Sequence, residues 1–205
     1  MIVVRSRFTD TDFVSAALAI AAESGPLAAT VASITGRLKA PTGSFYHRFA
    51  SRDVLLGELW LRTVIDFQRG IGDALDAGDG LRAALHTPAW VREHFDEARL
   101  LLLYHRDDFV EGEWPEALRD RVVEQTRRAE AELAHFARLI FGRQGQRELR
   151  RAQFLLAEVP VAAVSQHLRR REPPPPIVDE LITATFRAVV SHYQAASIRR
   201  RGGRT

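Results

Sequence analysis

The stretch "KAPTGSFYHRFASRD", residues 39–53, concentrates side chains suited to gripping a polyanion and reading its edges. It holds the chain's one lysine, Lys39, then the small and hydroxyl residues Thr42, Gly43 and Ser44, then Tyr46, His47, Arg48 and Arg52. A nucleic-acid contact needs small residues for close approach, short polar ones for hydrogen bonds to base edges, and cations or hydroxyls for phosphate oxygens. Thr42, Gly43 and Ser44 meet the first two requirements. Lys39, Tyr46, His47 and Arg52 have the reach for phosphates or bases. Each also has a plainer reading: Tyr46 as a half-buried packing residue, His47 as a solvent-facing spacer, Arg48 as a solvated charge.

Covalent or metal chemistry has weaker support. An enzyme needs a convergent nucleophile, base and stabiliser, or a metal cluster. The best pair is Glu132 and His135 in "AELAH", at the i, i+3 spacing that di-iron helical bundles use. Those bundles need a second such pair, and no other histidine has an acidic residue three positions before it. The chain has no cysteine, so thiolate metal sites and disulfides are excluded. Nucleotide-binding glycine loops and nucleophile elbows are missing too. The expectation is a binding protein without catalytic residues, metal or cofactor; a metal-dependent helical-bundle enzyme and an interaction protein that has lost DNA binding are the rival readings.

The chain that must position these residues has 205 of them, 46% hydrophobic and 27% charged, an ordinary globular balance. The net charge of +3 does not by itself signal nucleic-acid binding. Over residues 1–60, Arg5, Arg7, Arg37, Lys39, Arg48 and Arg52 are nearly balanced by Asp10, Asp12, Glu23, Asp53 and Glu58. The arginine-rich end "SIRRRGGRT" reads as a basic disordered tail over 199–205. The apolar run near the start is shorter than a signal-peptide core, and nothing approaches the roughly 18 to 20 apolar residues of a membrane span. A cytoplasmic protein with no membrane partner is expected.

Apolar residues recur at spacings of three and four, and hairpin signals are nearly absent, so the fold class is all-α. Thr9 with Asp12 approximates a capping box for a first helix whose face carries Phe13, Val14, Ala17, Leu18 and Ala21, and "SGP" at 24–26 ends it. A short helix over about 30–38 and another after Pro41 complete a helix-turn-helix module. Ser51 caps a longer fourth helix, with Leu55, Leu56, Leu59, Trp60, Val64 and Phe67 on its buried side and a bend or frayed end expected at Gly70 and Gly72. Further helices are expected over roughly 81–95, 96–106, 115–141, 146–170 and 177–198, with "REPPPP" as a stiff linker before the last and Pro160 kinking the one before it. The domains are then 1–50, a helix-turn-helix unit, and 51–198, a larger helical bundle.

The segment "TVASITGRLKAPTGSFYHRFASRDVLL" resembles the DNA-binding signature of the TetR family of transcriptional regulators, on Gly43, Ser44, Phe45, Tyr46, His47-Arg48, Phe49 and Ser51-Arg52-Asp53. The resemblance covers residues 9–56. It implies double-stranded operator DNA as partner, with Tyr46 and Arg52 on phosphate, Thr42, Ser44 and His47 facing the groove, and Thr30 meeting the backbone. Ile34, Phe45 and Phe49 would be core. Three departures stand out. Gly36 sits inside the second helix, where it costs about 1 kcal/mol against a good helix former. Lys39 stands at the turn where glycine is usual, which widens or strains it, and Pro41 takes the place of a small capping residue.

The larger domain offers aromatic and aliphatic bulk. Core packing is the plain account of it; the resemblance implies a pocket for a small-molecule effector, with Trp60, Phe67, Trp90, Leu102, His105, Trp114 and Phe136 as candidates and His94 and Asp107 as further polar orienters. It also implies a repressor relieved by an apolar or amphipathic effector, and a homodimer formed by the last two helices, whose small and apolar residues include Ala157, Val161, Ala162, Ala163, Val164, Ile182, Ala184, Phe186, Ala188, Val189 and Val190. Burial of these residues within one subunit is the competing account.

Overall fold

The computed structural model describes residues 8–110 and 113–202, with the side chains of 117 and 197–202 left out; residues 203–205 of the basic tail lie outside the described residues. The chain is helical, and no strand occurs among the described residues. In order the helices are α1 (Asp10–Ser24), α2 (Val31–Leu38), α3 (Thr42–Tyr46), α4 (Arg52–Asp76), α5 (Gly80–Glu93), α6 (Phe95–Leu103), α7 (Glu116–Phe141), α8 (Gln146–Gln153), α9 (Val159–Arg170) and α10 (Ile177–Gly202). Residues 199–202 of the expected tail are therefore helical.

Their ends follow from local chemistry. Thr9 and Asp12 form the capping box of α1, each side chain bonding the other's backbone N–H, and the Thr9 N–H and hydroxyl, both donating to the Asp12 carboxylate, hold it below its usual pKa. Ser51 accepts from the Val54 N–H at 3.2 Å and so opens α4. Gly78, at φ 75°, closes α4, and the Asp79 carboxylate takes the Arg82 N–H at 2.9 Å to start α5. A π-helical turn, Phe154–Glu158, joins α8 to α9 immediately before Pro160. Proline has no N–H to continue the ladder, so the expected kink is realised as a turn in which the Val159 N–H bonds the Phe154 carbonyl.

The chain folds into two compact units that do not follow its order: residues 1–64 with 96–123, and 65–95 with 124–205. The helix-turn-helix segment lies wholly in the first. There Phe13 meets Phe45 edge-on at 5.8 Å and Phe49 at 6.3 Å, and Phe45, Ile34, Leu55, Leu56, Leu100 and Phe109 are fully buried. Burying each such side chain contributes about 1.5 to 3 kcal/mol, which holds together helices too short to persist alone. Gly57 of α4 leaves room for Leu118 and Trp114, which a Cβ there would meet at 2.6 and 3.3 Å.

In the second unit, α5 packs on α9 and α10 around Trp90, Val91, Val164, Leu168, Ile182 and Phe186. The proline linker is pinned: Arg92 donates to the Pro174 carbonyl at 2.8 Å and to both carboxylate oxygens of Asp179 at 3.0 and 3.1 Å. The interface residues expected from sequence divide. Val164, Ile182 and Phe186 are buried inside the unit, whereas Ala157, Ala162, Ala184 and Ala188 face solvent beside Ile177 and Leu181.

Two expectations are corrected or sharpened by glycine and lysine geometry. The expected fray at Gly70 and Gly72 does not occur; α4 runs unbroken to Asp76. Gly70 is there for clearance, since a Cβ would lie 2.2 Å from the His86 ring. Lys39 sits at φ 53°, ψ 38°, a left-handed C-cap on α2, so the turn is strained rather than wide. Gly36 is different again: a Cβ there meets nothing within 4 Å. In urea unfolding, Gly36→Ala should gain up to about 1 kcal/mol, while Gly70→Ala should lose about 1 to 3 kcal/mol from overpacking; equal effects at the two sites would refute the steric assignment. Stability should also rank Lys39→Gly above wild type and wild type above Lys39→Val, spaced by up to about 1 kcal/mol, because a β-branched residue tolerates positive φ least. A valine variant as stable as wild type would show that the turn carries no strain.

Candidate nucleic-acid interface

The segment from Thr30 to Asp53 builds one polar face on an aromatic anchor. Thr30 caps α2 by accepting the Ser33 N–H at 3.1 Å, while its own N–H goes to the Ser33 hydroxyl at 2.9 Å. Pro41, at φ −60°, occupies the N-cap of α3, one place earlier than a first-turn proline. The five residues of α3 divide sharply. Phe45 is fully buried and Phe49, just beyond, is 6% exposed. Thr42, Gly43 and His47 are exposed, Ser44 is half-buried, and Tyr46 is 58% exposed with its ring edge-on to Phe45 at 5.3 Å. A Cβ at Gly43 would meet nothing within 4 Å, so nothing in the fold requires glycine there.

The charges that looked balanced in the sequence are balanced by contact. Glu23 takes a bidentate pair from Arg37 at 2.8 and 3.0 Å, Asp10 pairs with Arg48, and Asp53 pairs with Arg52 at 3.0 Å. Glu58 is bound by Arg62 at 2.7 Å and Arg121 at 2.6 Å. Burial works against its charge, yet those two hydrogen bonds prevail and keep its pKa below the usual carboxylate value. Lys39 is exposed and has no ion-pair partner among the described residues. Arg48, read from sequence as a solvated charge, instead ties the residues after α3 to the start of α1. Arg52 spends its guanidinium on the Ala29 and Pro26 carbonyls, both at 3.0 Å, as well as on Asp53. No sequence signal marks either role, because the acceptors are distant in the chain and two of them are backbone oxygens.

The aromatic candidates for an effector site fall in both units. In the first, Trp60 and Trp114 meet edge-on at 5.3 Å, and the Trp114 indole N–H is buried without an acceptor among the described residues. Leu102 is half-buried there and His105 exposed, its backbone N–H bonding Asp108 at 2.6 Å. In the second, Phe136 is fully buried against Phe186, and Trp90 donates its indole N–H to Asp66 at 3.2 Å while packing on Phe67 at 5.1 Å and His94 at 5.3 Å. His86, absent from the sequence reading, completes this cluster. Its Nε2 bonds the Phe67 carbonyl at 2.8 Å, and burial pushes its pKa down against the pull of that bond and of Asp66. A groove of about 400 Å³ opens beside it, lined by Gly70, Leu81, Leu85 and Ala89 among others. Glu132 lies in this unit by Gly72, its pKa raised by burial and by Asp76; among the described residues, no three possible metal ligands come together.

No curated protein matches this chain significantly. Residues 13–59 match the family model for bacterial regulatory proteins, tetR family. The fold is similar to a transcriptional regulator from Rhodococcus sp. Rha1, with 17% identity over 88% of this chain and 97% of that one and a TM-score of 0.63. A TetR/AcrR-type regulator from Aquifex aeolicus VF5 shares 16% identity over 89% and 99%, with a TM-score of 0.61. The regulator FadR from Bacillus subtilis, solved in complex with stearoyl-CoA, shares 14% over 89% and 98%, with a TM-score of 0.62. No helix among the described residues is long and apolar enough to cross a membrane. The exposed hydroxyl and tyrosine face of α3 thus sits inside the segment that the family model matches, on a chain whose fold is similar to that of these regulators.

Proposed function

We propose that the chain is a homodimeric repressor that reads a two-fold symmetric operator with α3 and lets go of it when a small apolar or amphipathic effector binds. One observation carries the reading. Thr42, Gly43, Tyr46 and His47 stand exposed together with Lys39, on a helix whose opposite side is locked into the core by Phe45. Thr42, Ser44 and His47 then face base edges, while Lys39, Tyr46 and Thr30 meet phosphates. The effector reading is supported by the Phe67, His86 and Trp90 cluster with its adjoining groove, and by the B. subtilis neighbour, which holds a long acyl chain. The dimer reading is supported by the apolar stripe of Ile177, Leu181, Ala184 and Ala188, spaced to lie along one side of α10 and exposed.

Selection from a random-sequence duplex pool should recover a near-palindrome with half-sites about one turn, roughly 34 to 36 Å, or a multiple of it apart. With roughly 6 to 10 phosphate contacts per dimer, affinity should fall about 10³ to 10⁵-fold between 50 and 200 mM salt. Lys39→Ala should flatten that dependence, whereas Ser44→Ala and His47→Ala should change preference among operator variants; uniform losses on every sequence would remove Ser44 and His47 from base readout. Stearoyl-CoA is the first effector probe, and any effector that weakens DNA binding must itself be weakened by operator by the same factor, typically about 5- to 150-fold. Leu85→Trp, which fills the groove, should lower its affinity without touching operator binding.

Leu181→Glu should convert the dimer to a folded monomer in sedimentation, since a carboxylate buried without a cation is strongly unfavourable. A variant that still sediments as a dimer would place the interface elsewhere.

A further inference from the structure

We propose that Arg52 is a positioning residue for the DNA-reading helices and not one of the chain's phosphate ligands, a proposal that rests on reading α2 and α3 as the DNA-contacting pair. Each of the three guanidinium nitrogens is engaged inside the first unit. Nε donates to the Ala29 carbonyl, one terminal nitrogen to the Pro26 carbonyl and the other to the Asp53 carboxylate, each at 3.0 Å, and the side chain is 18% exposed. Pro26 and Ala29 bracket the 3-10 turn Pro26–Ala28, which leads directly into Thr30, the N-cap of α2. A second arginine serves the same corner. Arg99 of α6, itself buried, donates from Nε to the Ala22 carbonyl at 3.4 Å, in the last turn of α1.

The corner between α1 and α2 therefore presents three carbonyls that each receive a guanidinium. A planar fork of five donors can hold two carbonyls and a carboxylate at once; an ammonium, with three donors around one point, does not span them. Only two N–H groups, one on each terminal nitrogen, are left over for a phosphate, which would compete with these three partners for the orientation of the guanidinium, and Asp53 beside it offsets its charge. Lys39 is placed for that task instead: exposed, and without an ion pair among the described residues. Arg52 thus fixes where α2 starts relative to the first turn of α4, and it acts on DNA affinity through the fraction of molecules holding the reading arrangement.

The test measures the affinity of the full chain for the duplex that the wild type selects from a random-sequence pool, from about 50 to 200 mM salt, at a temperature where circular dichroism shows every protein folded. Arg52→Ala and Arg52→Lys should both bind about tenfold more weakly at each salt concentration, as when only about a tenth of the molecules keep the competent arrangement, with the wild-type salt slope unchanged. Amide hydrogen exchange at Ala28, Ala29 and Thr30 should quicken in both. If Arg52 held a phosphate, alanine would flatten the slope of a dimer by about 2, at roughly 0.9 per contact, and lysine, a good phosphate binder, would restore affinity. Either result overturns the proposal, as does unchanged exchange at the three amides. Should the alanine variant fail to fold, the lysine variant carries the test alone. A wild type that selects no duplex defeats the DNA reading instead, and exchange then decides whether Arg52 holds the corner.

Discussion

The exposed face of α3 depends on the contact of Phe45 and Phe49 with Phe13. A helix of five residues has no stability of its own, because nucleating one turn fixes several residues for a single hydrogen bond. The α3 helix, Thr42–Tyr46, exists because its ring at 45 is fully buried against α1 and its neighbour at 49 closes the same cluster. The direction in which Thr42, Tyr46 and His47 point is thereby set by residues on the opposite side of the same short helix. Arg48, paired with Asp10, adds a polar tether between the same two elements.

The second constraint is electrostatic. Six cations and five acids in the first sixty residues suggest at first a neutral module, a poor candidate for a polyanion. The structure resolves this by geometry: Glu23, Asp10 and Asp53 each neutralise a particular arginine, and Glu58 holds two more. What remains near α3 is one lysine with donors of short reach. In the proposed function such a face would depend on fit more than on bulk charge.

Much of the architecture was legible in the sequence, because its signals are local. Capping at Thr9 and Ser51, the stop at Gly25, and the three-and-four periodicity locate helices within a few residues of where they lie. Ile34, Phe45 and Phe49 were expected as core only through the family resemblance, and all three are buried. The functional details that escaped are long-range. Arg52 looks like any exposed first-turn cation until the Pro26 and Ala29 carbonyls are seen within its reach. His86 carries no motif, and Gly70 reads as a helix breaker until the imidazole against it supplies a reason. The small-residue stripes of the last two helices were readable as apolar, but not as divided, since which side of α10 is covered depends on α5 and α9.

The glycines of the α4 and helix-turn-helix regions separate what the fold needs from what it leaves open. At Gly57 and Gly70 a methyl group would collide with Leu118 or with His86, so packing within each unit explains the residue. At Gly36 and Gly43 a methyl group meets nothing, and helical propensity would favour alanine by about 1 kcal/mol at each. Gly43 lies on the exposed side of α3, next to Thr42, where the proposed function would bring a duplex close to the backbone. Helix stability is thus given up at Gly43 with no gain inside the chain, which agrees with the proposed use of this side of α3 as the surface that meets DNA.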